Sequence, residues 1–307
     1  MSTLRKYQSN PSSLLNNAKM LFDNKGLQTI VVEGESDYRL LRQWLVDKNA
    51  RLENVNGKPN VKEIWLKAKE RRFTAVHCIA DLDYDIVLKD DPIIDEQFIY
   101  VSMLEGSNDN DIECNDLESA LIRSRALSKV MSQKYRGVAL YENFEERIYD
   151  LREKLRVSSL KIGAFRAASQ QLWLSKKISA IDGEFRISEE FFDADNFQID
   201  GEKLTSSVRN SSSLKGYAIE EIISKASHLE LKYAAGWQLC RGHDLTTLLA
   251  LHVTNIVERR VSPREIEEDL RMACELEMLS QTRFGARLLK IGSVTGRPLL
   301  KVSDLPS

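Results

Sequence analysis

Two apolar runs in the first third of the chain each end in carboxylates. Thr29–Val32 runs into Glu33, Gly34, Glu35 and Asp37, and Phe73–Ile79 runs into Ala80, Asp81, Leu82 and Asp83. Both runs read as strands buried on both faces. In open α/β sheets the C-terminal strand edge is where ligands bind, and Gly34 lets the backbone turn tightly there. Asp81 and Asp83 are two residues apart, so they face the same way if the strand persists through them. Carboxylates gathered at strand ends suit a hard divalent cation, Mg²⁺ or Mn²⁺, that keeps waters and meets substrate phosphate oxygens. The implied chemistry is that of a phosphodiester.

Other residues could serve such a site. Lys58, in the turn Asn56–Asn60, is a candidate for neutralising a substrate phosphate, or an ordinary surface lysine. Asp116 and Glu118 fall in the first turn of a helix beginning at Asn115 or Asp116, where acids also serve capping and the helix dipole. The insert Gly106–Asp111 superficially suggests a calcium loop, but its glycine and acids are misplaced for one. His243 precedes a helix-capping Asp244; it is a structural histidine or one that supports the site from behind.

The elements that must position these groups follow from the pattern. A loose arm over residues 1–10 precedes a helix capped by Ser12 or Ser13 and stopped at Gly26. The first strand is followed by a helix from a Ser36 cap to Val46, a strand over Leu52–Val55, a helix from Val61 to Arg71, the second acid-ended strand, a proline-broken connection over 84–97, and a strand over Phe98–Met103. Helices are then expected over 116–133, 141–156 and 160–178, the last with Ile162, Phe165, Leu172 and Trp173 inward. The segments DGEFRI and NFQIDG suggest a hairpin around 181–200, and RNSSS (209–213) a loop. Helices return over 214–225 and 244–260, and Ser262, Pro263 and Glu265 form a helix start with a capping box. The fold class is α/β: a Rossmann-like core with a mostly parallel central sheet, followed by a mainly helical part. The divisions are 1–26 (arm and helix), 27–132 (core) and 133–307 (helical region packed on the core).

These motifs resemble a family. Val32-Glu33-Gly34-Glu35-Ser36-Asp37 and Asp81-Leu82-Asp83 match, in order and spacing, the Glu-Gly and Asp-x-Asp motifs of the Toprim fold of type II topoisomerases, bacterial primases and OLD-type nucleases. The chain further resembles the small bacterial Toprim proteins partnered with an ABC-type ATPase in phage defence, the effectors of PARIS-like systems; Val55–Asn60, Asn115–Glu118 and Gly242–Leu245 carry that narrower likeness. The resemblance implies a Toprim-like core and catalytic Glu33, Asp81 and Asp83, with Glu33 as metal ligand or general base. It further implies Asp37, Asp81 and Asp83 as ligands to Mg²⁺ or Mn²⁺, and Asp116 or Glu118 completing a second metal position. It implies a toxic nuclease acting on RNA, with tRNA as the specific substrate and a homodimer as the active form. A DNA endonuclease of the OLD type and a noncatalytic adaptor docking on the ATPase are the alternatives. No transesterifying tyrosine domain or zinc module is recognisable, which sets topoisomerase and primase activity aside.

The composition limits how substrate is captured. Of 307 residues 42% are hydrophobic and 29% charged, as in a folded globular chain, but the net charge is −2, so any attraction for nucleic acid must be local. Arg123, Arg125, Lys129 and Arg136, on the helices after Ser119, are the candidate phosphate contacts, or else solvated helix faces. Four cysteines, none at zinc-ligand spacing, suggest a reducing cytosol. No signal peptide and no apolar run long enough to span a membrane are expected, which places the protein in the cytoplasm.

Overall fold

A computed structural model describes residues 10–85, 87–88, 95–100, 116–135, 143–176, 185–212, 217–280 and 282–301. Residues 1–9 of the expected N-terminal arm, the Gly106–Asp111 insert, Asn115 and Arg136 lie outside the described residues. The chain forms two units: one from Met1–Leu82, Pro92–Gly106 and Glu275–Ser307, the other from Asp83–Asp91 and Ser107–Cys274.

The first unit holds a parallel four-stranded sheet in the order β2-β1-β3-β4, made of β1 (Gln28–Val32), β2 (Ala50–Asn54), β3 (Val76–Ala80) and β4 (Phe98–Tyr100). Every residue of β1 and β3 is buried, as strands covered on both faces require, and this is why they read as largely apolar runs, with Gln28, Thr29 and His77 the polar exceptions. The flanking helices are α1 (Pro11–Lys25), α2 (Glu35–Trp44) and α3 (Lys58–Glu70). Gly26 ends α1 in the left-handed region (φ 67°) and donates its N–H to Phe22 O, as expected for a C-terminal stop. Asn10, not Ser12 or Ser13, caps α1, accepting from both serine amides.

Residues near the C-terminus return to this sheet unit. Leu300 bridges to Leu45, Val46 N donates to Leu299 O at 2.9 Å, and Lys301 N donates to Trp44 O at 3.0 Å. The late helices of the unit, numbered after those of the other unit, are α11 (Leu276–Ser280) and α12 (Arg283–Thr295), and α12 packs against β4.

The second unit is helical: α4 (Leu117–Arg123), α5 (Arg125–Gln133), α6 (Phe144–Lys176), α7 (Gly201–Ser211), α8 (Tyr217–Lys232), α9 (Gly242–Val257) and α10 (Pro263–Ala273). The single helix expected over 116–133 is broken at Ser124, whose backbone is extended (ψ 179°) and whose hydroxyl accepts from Ala126 N. Arg152 holds the break open by donating to Ile122 O at 3.0 Å and Ser124 O at 2.7 Å. Conversely, the break expected at 157–159 does not occur. Nothing there forbids a helix, and Ser158 and Ser159 are buried within one 33-residue α6. Trp173 lies 48% exposed rather than inward. A hairpin forms, but its first strand is β5 (Phe192–Asp193), in the segment expected to connect the two strands, paired with β6 (Gln198–Ile199); the described part of DGEFRI, 185–187, is not a strand, and Arg209–Ser211 end α7 instead of forming a loop. Among the described residues no helix is long and apolar enough to cross a membrane.

Gly163 lets α6 approach another backbone, since a Cβ there would fall against the Leu239 carbonyl. Gly163→Ala is expected to cost about 1–3 kcal/mol, the usual range for overpacking. A denaturant midpoint equal to wild type at unchanged m would show that the approach can relax.

A second expectation concerns His77 in β3. Burial, aided by the positive charge of Arg287, lowers its pKa to about 4. The unfolded chain therefore binds the extra proton between about pH 6.5 and pH 4. His77 should then contribute stability that is complete above pH 6.5 and falls by roughly 3 kcal/mol on acidification to pH 4. His77→Gln should flatten that loss in denaturation midpoints across this window; an unchanged slope would remove His77 as its source.

Candidate functional site

The order β2-β1-β3-β4 means that the chain leaves β1 toward one side, through α2 to β2, then crosses back to β3 on the other side. The direction of winding reverses between β1 and β3, and the crevice outside the C-terminal ends of those two strands is where such sheets bind ligands. Glu33 follows the last residue of β1 and Asp81 the last residue of β3, and Val32, which ends β1, is the register partner of Ile79, one residue before the end of β3. The Glu33 carboxylate accepts the Asp81 amide N–H at 3.3 Å. Both residues are half-buried. Two carboxylates are thus fixed at the switch point by adjacent strands.

The neighbouring turns are tied to the same edge. Gly57 N donates to Glu33 O at 2.9 Å, fastening the β2–α3 turn to the end of β1. Lys58 is the first residue of α3 rather than part of a loop, and its Nζ donates to Leu82 O at 3.0 Å and lies 5.9 Å over the Tyr100 ring. A cation therefore stands beside the segment that follows Asp81. Asp37 is buried and accepts the Gly34 N–H at 3.0 Å. Gly34, not Ser36, is the N-cap of α2, because the reach-back of Asp37 starts the helix two residues earlier than the serine signal suggested. This bond holds the Glu33-Gly34 turn in shape.

β3 ends at Ala80, so the alternation that would align Asp81 with Asp83 stops short of both. Asp83 sits in a turn at φ 52° and belongs to the second unit. There the other expected acids are committed to structure. Asp116 caps α4, accepting from Ser119 N at 3.0 Å and, from the start of α9, Gly242 N at 2.7 Å. Burial, with the negative charge of Asp83 adding to it, raises the Asp116 pKa against these bonds. A Cβ on residue 242 would collide with this carboxylate, which gives Gly242 its reason. Glu118 pairs with Arg271 at 2.9 Å.

The same unit holds a network that reading along the chain does not find. Arg166 of α6 grips Asp244 of α9 with two bonds of 2.8 and 2.9 Å, and Asp244 is 1% exposed. With Tyr84, Arg241 and Asp83, Arg166 lines a cavity of about 370 Å³. The only trace of it in the sequence is the run Gly242–Leu245. His243 turns away from the network, 62% exposed, with Nδ1 3.1 Å from Glu267, a bond that raises its pKa. Of the basic candidates, Arg123 lies 5.3 Å over the Trp237 ring, Arg125 is exposed and Lys129 half-buried.

No family model matches the chain, and no curated protein is significantly similar to it.

Among the described residues no three His, Cys, Asp or Glu side chains form a ready-made metal cage. Mg²⁺ at a phosphoryl site needs less than that, taking one or two carboxylates, several waters and substrate phosphate oxygens. Glu33 and Asp81 fit this smaller donor set in chemistry and in position.

Proposed function

We propose that the protein is a metal-dependent phosphodiester hydrolase of the Toprim type, cleaving RNA, with tRNA as its substrate, as the toxic effector of an anti-phage system partnered with an ABC-type ATPase. The observation that carries this reading is the placement of Glu33 and Asp81 on the two strands flanking the switch point, with Lys58 at the same edge. When bound, a divalent cation there would polarise a phosphoryl oxygen and make its water acidic enough to attack. Glu33 would hold the attacking water or ligate the cation. Asp81 would ligate such a cation, and Asp37 orients the Glu33 turn without needing to touch substrate. Lys58 neutralises a phosphate oxygen as it enters.

The test offers purified protein tRNA and duplex DNA side by side, with Mg²⁺ or Mn²⁺ and with chelator, alone and with the partner ATPase. Cleavage of tRNA that disappears with chelator is expected. Cleavage of DNA alone would move the substrate to the OLD type, and no cleavage under any condition would favour the adaptor alternative. Independently of turnover, Mn²⁺ binding followed by paramagnetic resonance should weaken at least about tenfold in Asp81→Asn, as expected when a metal-site group is lost. Equal affinity in the variant would remove Asp81 from the site.

A further inference from the structure

A cavity of about 730 Å³ opens in the first unit on the side of the sheet opposite the carboxylates. Gln28 begins β1, Ala75 precedes β3 and Gln97 precedes β4, so the cavity floor is the N-terminal edge of three parallel strands. β1 has five residues, which puts about 17 Å of strand between this floor and Glu33. One small ligand cannot serve both edges, and the cavity is a site in its own right. Its volume lies within the roughly 300–1,000 Å³ typical of small-molecule sites.

The lining combines an apolar body with a cationic rim. Phe22 at the end of α1 and Ile291 and Val294 on α12 supply apolar surface, with Phe22 37% and Val294 79% exposed. Arg287, Lys290 and Arg297 supply positive charge. The two acids in the lining offset only part of it. Asp95 is engaged by Lys69 at 2.6 Å, Trp65 Nε1 at 3.1 Å and Gln97 N at 2.8 Å, and the Glu96 side chain is 86% exposed. Arg287 and Arg297 donate to backbone carbonyls, of Glu96 and Lys25 respectively, which aligns their guanidinium groups, and Arg287 also meets the exposed Glu96 carboxylate at 3.4 Å. Lys290 is exposed and has no ion pair among the described residues. At the floor, His77 Nε2 lies 3.1 Å from Gln28 Oε1, while its buried Nδ1 has no hydrogen-bond partner among the described residues. In the tautomer that donates to Gln28, Nδ1 is a spare acceptor.

We infer that this cavity binds a small planar anion: an aromatic ring system for the Phe22, Ile291 and Val294 surface, carrying one phosphate, sulfonate or carboxylate for the Arg287, Lys290 and Arg297 rim. The inference does not depend on the nuclease reading, because it uses the other edge of the sheet.

The test uses 8-anilinonaphthalene-1-sulfonate as an anionic aromatic probe and uncharged N-phenyl-1-naphthylamine as its control, both followed by fluorescence on the full chain. One anionic probe per chain is expected. Lys290→Glu should weaken it about tenfold, on the scale of one partly exposed ion pair, and leave the uncharged probe unaffected. Val294→Trp, at the mouth, should weaken both probes. Both positions are exposed, so melting temperatures should match wild type and keep the comparison clean. Absence of saturable one-to-one binding, or equal anionic-probe affinity in wild type and both variants, overturns the inference. Equal loss of both probes in Lys290→Glu overturns its anionic part.

Discussion

Glu33→Gln is expected to lower metal-dependent cleavage by about 10²–10⁴-fold, the range for removing a group that moves a proton in the transition state. The same variant should melt within about 2 °C of wild type. Glutamine keeps the shape of the side chain and an oxygen that accepts the Asp81 N–H, so that hydrogen bond survives. What it loses is the negative charge that a cation and an attacking water would use. For a half-buried side chain replaced by its isostere the stability effect is expected within about 0.5 kcal/mol. Rate and melting temperature should therefore separate cleanly. If the variant cleaves at the wild-type rate, Glu33 only punctuates the turn and the site lies elsewhere. If it unfolds, the carboxylate is part of the scaffold and the rate says nothing about chemistry.

The part of the molecule behind this expectation is the part that could be read along the chain. β1 and β3 are legible because strands buried on both faces are mostly apolar, here Ile30–Val32 and Val76, Cys78–Ala80, and each run ends against a carboxylate. Their adjacency came from the family resemblance and from no local pattern. It depends on a crossover that returns past β1, and that places Glu33 and Asp81 together. Local signals with a single physical cause also translate directly: Gly26 stops α1, and Ser262 caps α10 by accepting from Glu265 N. Signals with competing partners do not. Ser36 is a good capping residue, but Asp37 reaches Gly34 and moves the helix start. The serines at 158 and 159 resemble a boundary until the burial that surrounds them is known.

Contacts between distant segments were out of reach altogether. Residues 299–301 look like an ordinary tail, yet they hydrogen-bond beside the end of α2. Asp116 and Gly242 are 126 residues apart, and each looks like a helix start of its own; that one carboxylate serves both starts is visible only in three dimensions. The acids of the second unit therefore carry more structural duty than their spacing implied, and their removal should register in stability before it registers in chemistry.

The sharpest case is Arg166 with Asp244, 78 residues apart in sequence and joined by two hydrogen bonds. Arg166→Met keeps much of the aliphatic stem but leaves Asp244, 1% exposed, with its charge no longer matched in that geometry. Arg241 lies near enough to feel Asp244, which moderates the cost without replacing a two-pronged partner. Breaking a buried pair by removing one member costs about 3–5 kcal/mol, most of it the stranded charge. The single variant is therefore expected to lose stability on that scale by chemical denaturation. Adding Asp244→Asn, which removes the stranded charge, should recover a large part of the loss, because an amide tolerates burial far better than a lone carboxylate. If Arg166→Met costs less than about 1 kcal/mol, or the double variant is no more stable than the single, the pair is not what joins α6 to α9. The Gly242–Leu245 run would then owe its form to the Asp116 contact alone.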